Sequence, residues 1–363
     1  MLLAPAFAAR RERLRAQMDG RGLPVLLVTS LTNIFYLTGF RGSAGAALVG
    51  PSELLLFVDP RYTLQAQEEA CGVEVIVAKR GLLRAVGAWL RKRDARRMGY
   101  EAAHLTCAEF GRLVSDTRPR VKLTPAGGMI EELRAVKDEE EVARIRQAGR
   151  LTAEVFEEVR GQARAGVSEA DLAAEIEYRM RKKGAEGAAF ETIVASGTRG
   201  AFPHARASRK LLEENDLVIF DLGAILSGYA ADMTRTVYLG EPGRKVRSLY
   251  QAVAGAQQSA VEALREGTKA GDVDAAARRF LKARGVGRFF THSTGHGVGL
   301  EIHEAPRLGR GEKVRLRAGF VVTVEPGVYL EGLGGIRIED TVLVGVDGPE
   351  ILTPAAKDNW VLS

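Results

Sequence analysis

The sequence predicts two domains, a small α/β domain at the amino terminus and a larger mixed α+β domain after it. At 363 residues, the chain is longer than one hydrophobic core usually serves. Its composition, 46% hydrophobic and 27% charged, is typical of globular proteins that fold in water. The strongest break is the run from Thr124 to Gly128, where a proline lacks a backbone donor and two glycines permit almost any turn. We therefore expect one domain over residues 1–127 and a second over residues 128–363.

The first domain alternates short apolar runs with a helical pattern. In residues 83–93, apolar side chains recur at three- and four-residue steps, which predicts a helix whose basic end faces solvent. The short apolar runs predict strands. These runs are residues 25–28, 46–49, 54–58 and 73–78. Strands and helices in alternation are typical of an α/β sheet.

The second domain has longer helical patterns and several strand-like blocks. Apolar residues at three- and four-residue steps predict three helices. These cover residues 142–159, 172–180 and 249–264. The apolar blocks between and after them predict strands. These blocks are residues 217–222, 234–239, 321–324 and 336–344. The domain is therefore expected to mix helices and sheets.

The composition excludes several classes of protein. The longest apolar stretch, residues 23–40, is interrupted by Pro24 and by polar residues, and it lacks the roughly 20 uninterrupted apolar residues that span a bilayer. Residues 2–9 are apolar, but arginines follow them, which is the reverse of a secretory signal. Two cysteines are too few for a disulfide framework. We expect a cytoplasmic protein with no membrane segment.

Positive charge is concentrated in the first part of the chain. Residues 1–130 contain 19 Lys+Arg and 11 Asp+Glu, a net charge of +8, and the remainder carries a net charge of −2. A basic domain can bind nucleic acid. However, no interleaved aromatic residues and no nucleic-acid-binding module accompany the charge. We therefore expect no nucleic-acid partner.

Four acidic residues of the second domain lie in apolar, strand-like surroundings. Asp221 follows Val, Ile and Phe, and an unpaired carboxylate there would cost several kcal/mol of desolvation, so a positive group must face it. Asp232, Glu325 and Glu339 are placed in the same way. Each of the pairs Asp221/Asp232 and Glu325/Glu339 flanks a glycine-containing turn, which predicts two β-hairpins with an acid on either arm.

Taken singly, each of these acids is more often a salt-bridge partner than a metal ligand. Brought together, the four would repel one another and raise one another's pKa values. Two divalent cations about 3.5 to 4 Å apart would cancel a charge of −4, and carboxylate oxygens suit hard cations. The sequence therefore suggests a metal centre.

The histidines support this interpretation. Of the five in the chain, His292, His296 and His303 lie in one glycine-rich segment, and His204 follows a Phe-Pro pair. His104 stands apart and is interpreted as an ordinary surface or packing residue. The three glycines between His292 and His303 are expected to let the backbone approach a ligand closely.

Several motifs resemble those of a known enzyme family. In the second domain they are FDLG at 220–223, DMTRT at 232–236, GHGVGLEIHE at 295–304, VEPG at 324–327 and GIRIED at 335–340. Together they resemble, in order, the ligand motifs of the pita-bread metallopeptidases, and within them the proline-specific branch of Xaa-Pro dipeptidases and aminopeptidase P. In the first domain, NIFYLTGF at 33–40 and DPRY at 59–62 are similar to the creatinase-like amino-terminal domain of that branch. The implied fold is a creatinase-like α/β capping domain followed by a pita-bread catalytic domain.

The resemblance implies a metal-ligand set. Asp221, Asp232, His296, Glu325 and Glu339 would bind two divalent metals, with Asp232 and Glu339 bridging them. One imidazole and four carboxylates suit Mn, Co, Zn or Fe and do not choose among them. Water activated by the metals would attack the carbonyl group before proline, and Glu325 would take up and return the proton.

The resemblance also implies roles for residues that hold the substrate. His204 and His303 would hydrogen-bond the substrate carbonyl and the developing oxyanion or amine. His292 would lie behind the metal ligands or against the proline ring. Arg337, two residues before Glu339, would orient the carboxylates or the substrate, with a surface ion pair as the alternative. Arg307 would hold the free carboxylate of a dipeptide, with a solvated loop arginine as the alternative.

The implied activity is hydrolysis of the peptide bond that precedes proline. A short chain and Arg307 favour a dipeptidase (prolidase) acting on short proline-containing peptides. An aminopeptidase acting on longer Xaa-Pro-Yaa peptides is the alternative. A non-catalytic binding protein on the same fold is a remote alternative, because all five ligand positions are filled. The resemblance further implies a homodimer in which the first domain caps the cleft.

Overall fold

The computed structural model describes residues 4–93, 96–117 and 121–362, so part of the apolar segment 2–9 lies outside the described residues. The chain divides into two compact units, Met1–Arg134 and Ala135–Ser363. None of the helices in the described ranges combines the length and the apolar character that crossing a lipid bilayer requires.

The first unit is built on a six-stranded mixed sheet. Its strands are β1 (Leu26–Val28), β2 (Gly45–Val49), β3 (Leu54–Val58), β4 (Glu74–Val77), β5 (Arg97–Tyr100) and β6 (Lys122–Pro125). They are ordered β4-β3-β2-β1-β5-β6, with β2 antiparallel to both neighbours and the other pairs parallel. The helices are α1 (Ala4–Gly20), α2 (Leu31–Thr38), α3 (Thr63–Glu69), α4 (Leu82–Lys92), α5 (Cys107–Thr117) and α6 (Met129–Ala135), the last of which ends at the division between the units.

The four strands and the helix predicted in the first unit are confirmed to within one residue at each end. The amphipathic helix α4 buries Val86 and Leu90 in a cluster with Leu27 and Phe57 of the sheet. Apolar burial of this kind is what stabilises an amphipathic helix against a sheet. The break at Gly128, where φ is +84°, is the turn between β6 and α6.

The second unit contains four long helices and fourteen strands in the described residues. The helices are α7 (Glu139–Arg160), α8 (Glu169–Lys182), α9 (Arg244–Ala263) and α10 (Ala270–Ala283). The strands are β7 (Gly187–Ala188), β8 (Ile193–Ser196), β9 (Leu217–Leu222), β10 (Ala224–Leu226), β11 (Tyr229–Ala230), β12 (Met233–Leu239), β13 (Gly295–Gly297), β14 (Glu304–Leu308), β15 (Val321–Val324), β16 (Gly327–Leu330), β17 (Gly334–Arg337), β18 (Asp340–Val344), β19 (Pro349–Ile351) and β20 (Val361–Leu362).

Each half of the second unit packs a helix pair on a sheet. In the first half, Phe156 and Ile176 of α7 and α8 share a buried cluster with Phe220 of the sheet β20-β12-β9-β8. In the second half, α9 and α10 pack on the sheet β14-β13-β15-β18-β19, with Val253 and Val322 in the shared cluster. The two cores fix two sheets whose strand ends carry the acidic residues.

The helices of the second unit begin where the sequence provides caps. Asp138 accepts a hydrogen bond from the Glu141 N–H, and the Glu141 side chain accepts one from the Asp138 N–H, which is a capping box at the start of α7. Ser168 caps α8 by accepting from the Asp171 N–H. Three helices were predicted here and are confirmed, whereas α10 was missed.

Both predicted hairpins form. Strands β9 and β12 pair antiparallel, with Asp221 opposite Thr234, and the tight turn at 227–228 closes the inner pair β10–β11. Strands β16 and β17 pair around Gly332, with Glu325 just before β16 and Glu339 just after β17. The prediction of one strand over residues 336–344 was wrong. Strand β17 ends at Arg337 and a new strand, β18, begins at Asp340, and the two pair with different strands.

Candidate metal centre

The ten side chains assigned to the site from sequence all line one cavity of about 830 Å³ in the second unit. They are Asp221, Asp232, His296, Glu325 and Glu339, together with His204, His292, His303, Arg307 and Arg337. Residues far apart along the chain therefore meet at one place, where the ends of the sheets converge.

The first pair of acids is set by the pairing of β9 with β12. Asp221 lies on β9, where every residue is buried, and Asp232 lies just before β12. The backbone of Asp232 is held on both sides by Thr341, whose hydroxyl oxygen accepts from the Asp232 N–H at 3.1 Å and whose O–H donates to the Asp232 carbonyl at 2.8 Å. The second half of the unit thus positions an acid of the first half.

The second pair of acids lies at the ends of β15 and β17. The Glu325 N–H donates to the Thr294 carbonyl at 2.8 Å, which ties this acid to the segment that carries His296. Glu339 is 2% exposed, and its carboxylate accepts a hydrogen bond from the Thr234 hydroxyl at 2.6 Å. Strand β12 of the first hairpin therefore holds Glu339 of the second through Thr234.

His296 presents a free nitrogen to these acids. Its Nδ1 lies 3.0 Å from the Gly297 carbonyl, and because a carbonyl only accepts, Nδ1 carries the proton. Its Nε2 lies 3.6 Å from Asp232 Oδ2 and 3.5 Å from Glu325 Oε1. The lone pair of Nε2 is therefore directed at the acidic cluster, which is the tautomer that a metal ligand requires.

The packing of the strands requires the glycines beside His296. A Cβ at Gly295 would overlap the Thr323 carbonyl, and a Cβ at Gly297 would overlap the Ala305 carbonyl. These glycines allow β13 to lie close between β14 and β15. The expectation that the backbone approaches a ligand at the glycines of this segment stays a prediction.

Three side chains form a compact set of possible ligands. Among the described residues, Asp232, His296 and Glu339 each offer one ligand atom, and these atoms all lie within 4.8 Å of one another. Asp221 and Glu325 lie beside this set and are not part of it. An imidazole with two carboxylates is a donor set that divalent transition metals accept.

Burial and mutual repulsion perturb the acids. Burial raises the pKa of Asp232 well above its ordinary value, and the charges of Asp221 and Glu325 raise it further. Burial and the charge of Asp232 likewise raise the pKa of Glu339. Burial raises the pKa of Glu325 to about 8, although Arg337 acts in the opposite direction. Such a cluster is stable in its charged form only beside positive charge.

The residues present fit a cation. Asp221 Oδ1 is buried and has no hydrogen-bond partner among the described residues, whereas its Oδ2 accepts from Arg337 at 2.6 Å. An unpartnered buried carboxylate oxygen is costly unless it binds something positive. The cluster of acids, the free Nε2 of His296 and this oxygen together satisfy the requirements of a divalent metal site.

Arg337 is the positive group that was expected to face Asp221. Its guanidinium also donates to the Thr234 hydroxyl at 3.1 Å, to the Pro203 carbonyl at 3.1 Å and to the Tyr329 hydroxyl at 2.8 Å. The side chain is buried, so the alternative of a surface ion pair was wrong. Burial acts to lower the pKa of Arg337, but Tyr329 and the surrounding acids raise it well above its ordinary value, so the side chain stays charged.

His292 is joined to Arg337 through Tyr329. His292 Nδ1 lies 2.8 Å from the Ser293 carbonyl and therefore carries the proton, which leaves Nε2 to accept from the Tyr329 hydroxyl at 2.9 Å. Burial lowers the pKa of His292 to about 4, so the ring is neutral. Tyr329 was missed from the sequence. Its only signal was its place four residues after Glu325, on the strand that follows.

The remaining predicted residues border the open part of the cavity. His204 lies in an exposed loop after the short helix Gly197–Ala201, and the ring of His303 lies 4.3 Å from that of His296, centroid to centroid. Arg307 lies directly opposite His296 in the pairing of β13 with β14 and is exposed. These groups are placed to contact a molecule in the cavity.

A buried ion pair behind the site was also missed. Arg235 donates to the Glu339 carbonyl and to Asp340 Oδ1, at 2.6 and 2.7 Å. Asp340 also pairs with Lys357 and is held by Gln257. This pair fixes the backbone of Glu339, and no spacing in the sequence distinguished Arg235 from the neighbouring residues of its strand.

Two family models match the chain. Residues 10–136 match the creatinase/prolidase N-terminal domain, and residues 143–345 match metallopeptidase family M24. The second match covers more than half of the chain.

Individual relatives and solved structures are similar to this chain along nearly its whole length. The Xaa-Pro dipeptidase of Pyrococcus furiosus is 36% identical over 351 residues, which is 96% of this chain and 99% of that protein. The structure of the Xaa-Pro dipeptidase from Bacillus anthracis superposes with a TM-score of 0.95 at 36% identity, covering 98% of this chain and 100% of that one. The structure of the X-Pro aminopeptidase from Thermotoga maritima superposes with a TM-score of 0.89 at 37% identity, covering 95% and 100%.

Proposed function

This chain belongs to metallopeptidase family M24, and from that membership we propose that it hydrolyses the peptide bond preceding proline, as a metal-dependent Xaa-Pro dipeptidase acting on short peptides. The creatinase-like N-terminal domain and the pita-bread catalytic domain expected from the motifs agree with the two family matches. The observation that carries the proposal is the compact set of Asp232, His296 and Glu339 in a cavity that two further acids border.

Membership of this family implies use of divalent metal. We propose two ions, held by Asp221, Asp232, His296, Glu325 and Glu339, because four acids leave a charge that one divalent ion would not neutralise. Asp232 and Glu339, which form the compact set together with His296, would both hold metal. Mn, Co and Zn all suit one imidazole with four carboxylates.

Bound divalent metal would polarise the scissile carbonyl and make water a nucleophile at neutral pH. Glu325, at the edge of the cluster beside His296, would accept the proton of the attacking water on a carboxylate oxygen and return it to the proline nitrogen as the C–N bond breaks. The products would be a free amino acid and proline with a free secondary amine.

Other side chains would hold the substrate. His204 and His303 border the cavity and would donate hydrogen bonds to the substrate carbonyl and to the oxyanion that develops. The neutral ring of His292, fixed by Ser293 and Tyr329, would offer an apolar wall to the proline ring. Arg337 holds Asp221 in place through the 2.6 Å ion pair.

The subtype depends on what holds the end of the substrate. Arg307 projects from the strand opposite His296 and lines the cavity, at a position where a guanidinium could bind the carboxylate of a dipeptide. This supports the dipeptidase. The aminopeptidase remains the second candidate, because the Thermotoga maritima enzyme is 37% identical to this chain and the Bacillus anthracis dipeptidase is 36% identical.

The activity can be tested with protein loaded separately with Mn, Co or Zn. We expect release of free proline from Leu-Pro and none from Leu-Ala, measured by chromatography. His296→Ala should lose both bound metal and turnover, because it removes the one imidazole of the ligand set.

His104→Ala is the matched control, because this histidine lies in the first unit and pairs with Glu131. It should retain full activity. Failure to release proline with any of the three metals, or full activity of His296→Ala, would contradict the proposal. A protein that binds no metal at all would favour the non-catalytic alternative.

The subtype can be tested by comparing Leu-Pro with Leu-Pro-Gly. For a dipeptidase, kcat/KM should be higher for the dipeptide, and Arg307→Ala should raise KM for it by about 10- to 100-fold, since charge-assisted hydrogen bonds contribute roughly 1.5–3 kcal/mol. The KM of Arg307→Lys for the dipeptide should lie between those of the wild-type enzyme and Arg307→Ala. Faster turnover of the tripeptide, with Arg307→Ala silent, would establish the aminopeptidase instead.

The expected homodimer and the cytoplasmic location stay predictions. Sedimentation of the purified protein measures the first, and cell fractionation the second.

A further inference from the structure

A buried carboxylate lies behind the loop that carries His204. Glu169 is the first residue of α8, and it has no exposed surface. Its Oε1 accepts hydrogen bonds from the backbone N–H and the hydroxyl of Ser196, at 2.8 and 2.9 Å. Its Oε2 accepts from the N–H and the hydroxyl of Ser208, at 3.1 and 2.7 Å. One carboxylate therefore holds both ends of residues 197–207, the segment that we call the His204 loop.

Arg199 ties the middle of the His204 loop to the same carboxylate. Its Nε donates to Glu169 Oε2 at 3.0 Å, and its Nη2 donates across the loop to the Arg206 carbonyl at 2.6 Å. The Glu169 side chain is fully buried in this ion pair, whereas Arg199 is 32% exposed. Hydrogen bonds to a buried charge are stronger than neutral ones, so this pair closes the loop firmly.

The ring of His204 depends on the loop for its position. The side chain is exposed, and within the described part of the chain no other group hydrogen-bonds to its imidazole. On the cavity side, Arg337 donates to the carbonyl of Pro203, the residue before it. The backbone beside His204 is held by Arg337 on the cavity side and by Ala205, which is buried in a cluster with Ile193 and Ala195. Glu169 and Arg199 hold the base of the loop.

We propose that Glu169 is a positioning residue for His204, holding the His204 loop so that the imidazole faces the bound substrate. The inference rests on the proposed function, because it requires His204 to contact substrate. A carboxylate suits this role because both oxygens accept, and here they accept five hydrogen bonds from the loop and its two ends. A carboxamide of the same shape would replace one acceptor by a donor.

The first test is Glu169→Gln in the metal-loaded enzyme. We expect kcat for Leu-Pro to fall by about tenfold or more, since a misplacement of about 1 Å can cost about 100-fold in rate. Metal content should be unchanged, because Glu169 contacts none of the proposed ligands. Glu141→Gln is the matched control. Glu141 is equally buried and accepts hydrogen bonds from Asp138 and Tyr229, so its variant should keep kcat within about twofold.

The second test separates positioning from general structural support. In a His204→Ala background, Glu169→Gln should lower kcat by less than about twofold, because the effects of substitutions at residues that act as one unit are not additive. A full repeat of the loss seen in the wild-type background would overturn the proposal, since Glu169 would then act independently of His204. Unchanged kcat for Glu169→Gln alone would overturn it as well.

A third measurement does not depend on turnover. Hydrogen exchange of the backbone amides in the His204 loop, followed by mass spectrometry, should be faster in Glu169→Gln than in wild type or Glu141→Gln. Arg199→Ala, at a partly exposed side chain, should show the same change if Glu169→Gln does not fold. Unchanged exchange in both variants overturns the positioning role. If the wild-type enzyme hydrolyses neither peptide and Glu169→Gln still exchanges faster, the restraint of the loop by Glu169 is supported and the proposed function is refuted.

Discussion

At the scale of single residues, Arg337 connects several parts of the site. Its guanidinium contacts Asp221, Thr234, Tyr329 and the Pro203 carbonyl. The spacing to Glu339 was enough to predict that it faces the acids. It was not enough to predict that it is buried, because burial depends on strands and loops that are distant in sequence.

The perturbed acids make the metal-free protein sensitive to pH. The pKa of Glu325 is about 8 in the folded protein against 4.5 as its ordinary value, so between these values the folded state binds a proton that the unfolded state has released. The free energy of unfolding must therefore fall as pH rises through this range. The raised pKa values of Asp232 and Glu339 act in the same direction.

We predict that metal-free protein loses stability on the order of 1 kcal/mol between pH 7 and pH 8. Above pH 7 the two histidines with lowered pKa values, His292 and His296, are largely neutral in both states, so they do not mask the effect. Chemical denaturation at the two pH values measures it. Glu325→Gln should weaken the dependence, and metal-free stability that rises with pH would show that the acids are already neutralised by other means.

At the scale of elements, β13 positions the one imidazole of the proposed ligand set. It lies between β14 and β15 and carries His296. Its two glycines let the neighbouring backbones approach closely, so the strand has no room for side chains on that face.

Gly295→Ala is therefore expected to destabilise the protein by about 1–3 kcal/mol, because the added methyl group overlaps the Thr323 carbonyl and forces β13 away from β15. Turnover and metal affinity should fall together, since His296 moves with the strand. Gly161→Ala is the control, because a Cβ there meets no atom within 4 Å and the backbone φ of −68° suits alanine. Equal stability of the two variants in thermal unfolding would refute this role for β13.

At the scale of the whole molecule, local patterns in the sequence predicted most of the strands and helices whose formation depends on neighbouring residues. The apolar strands and amphipathic helices were predicted because their periodicity reflects which face is buried. The side chains of the candidate site were singled out because acids in apolar surroundings are costly and because their motifs resemble those of a known family, and the structure places them around one cavity. Tyr329, Arg235 and Glu169 were not predicted, because each owes its role to partners far away in the chain. The division of residues 336–344 into two strands was missed for the same reason.

The five proposed ligands extend from Asp221 to Glu339, and no shorter part of the chain contains all of them. Both sheets that carry them must therefore form before these groups can meet. We expect metal to bind the folded second unit and not the extended chain, which couples metal binding to folding.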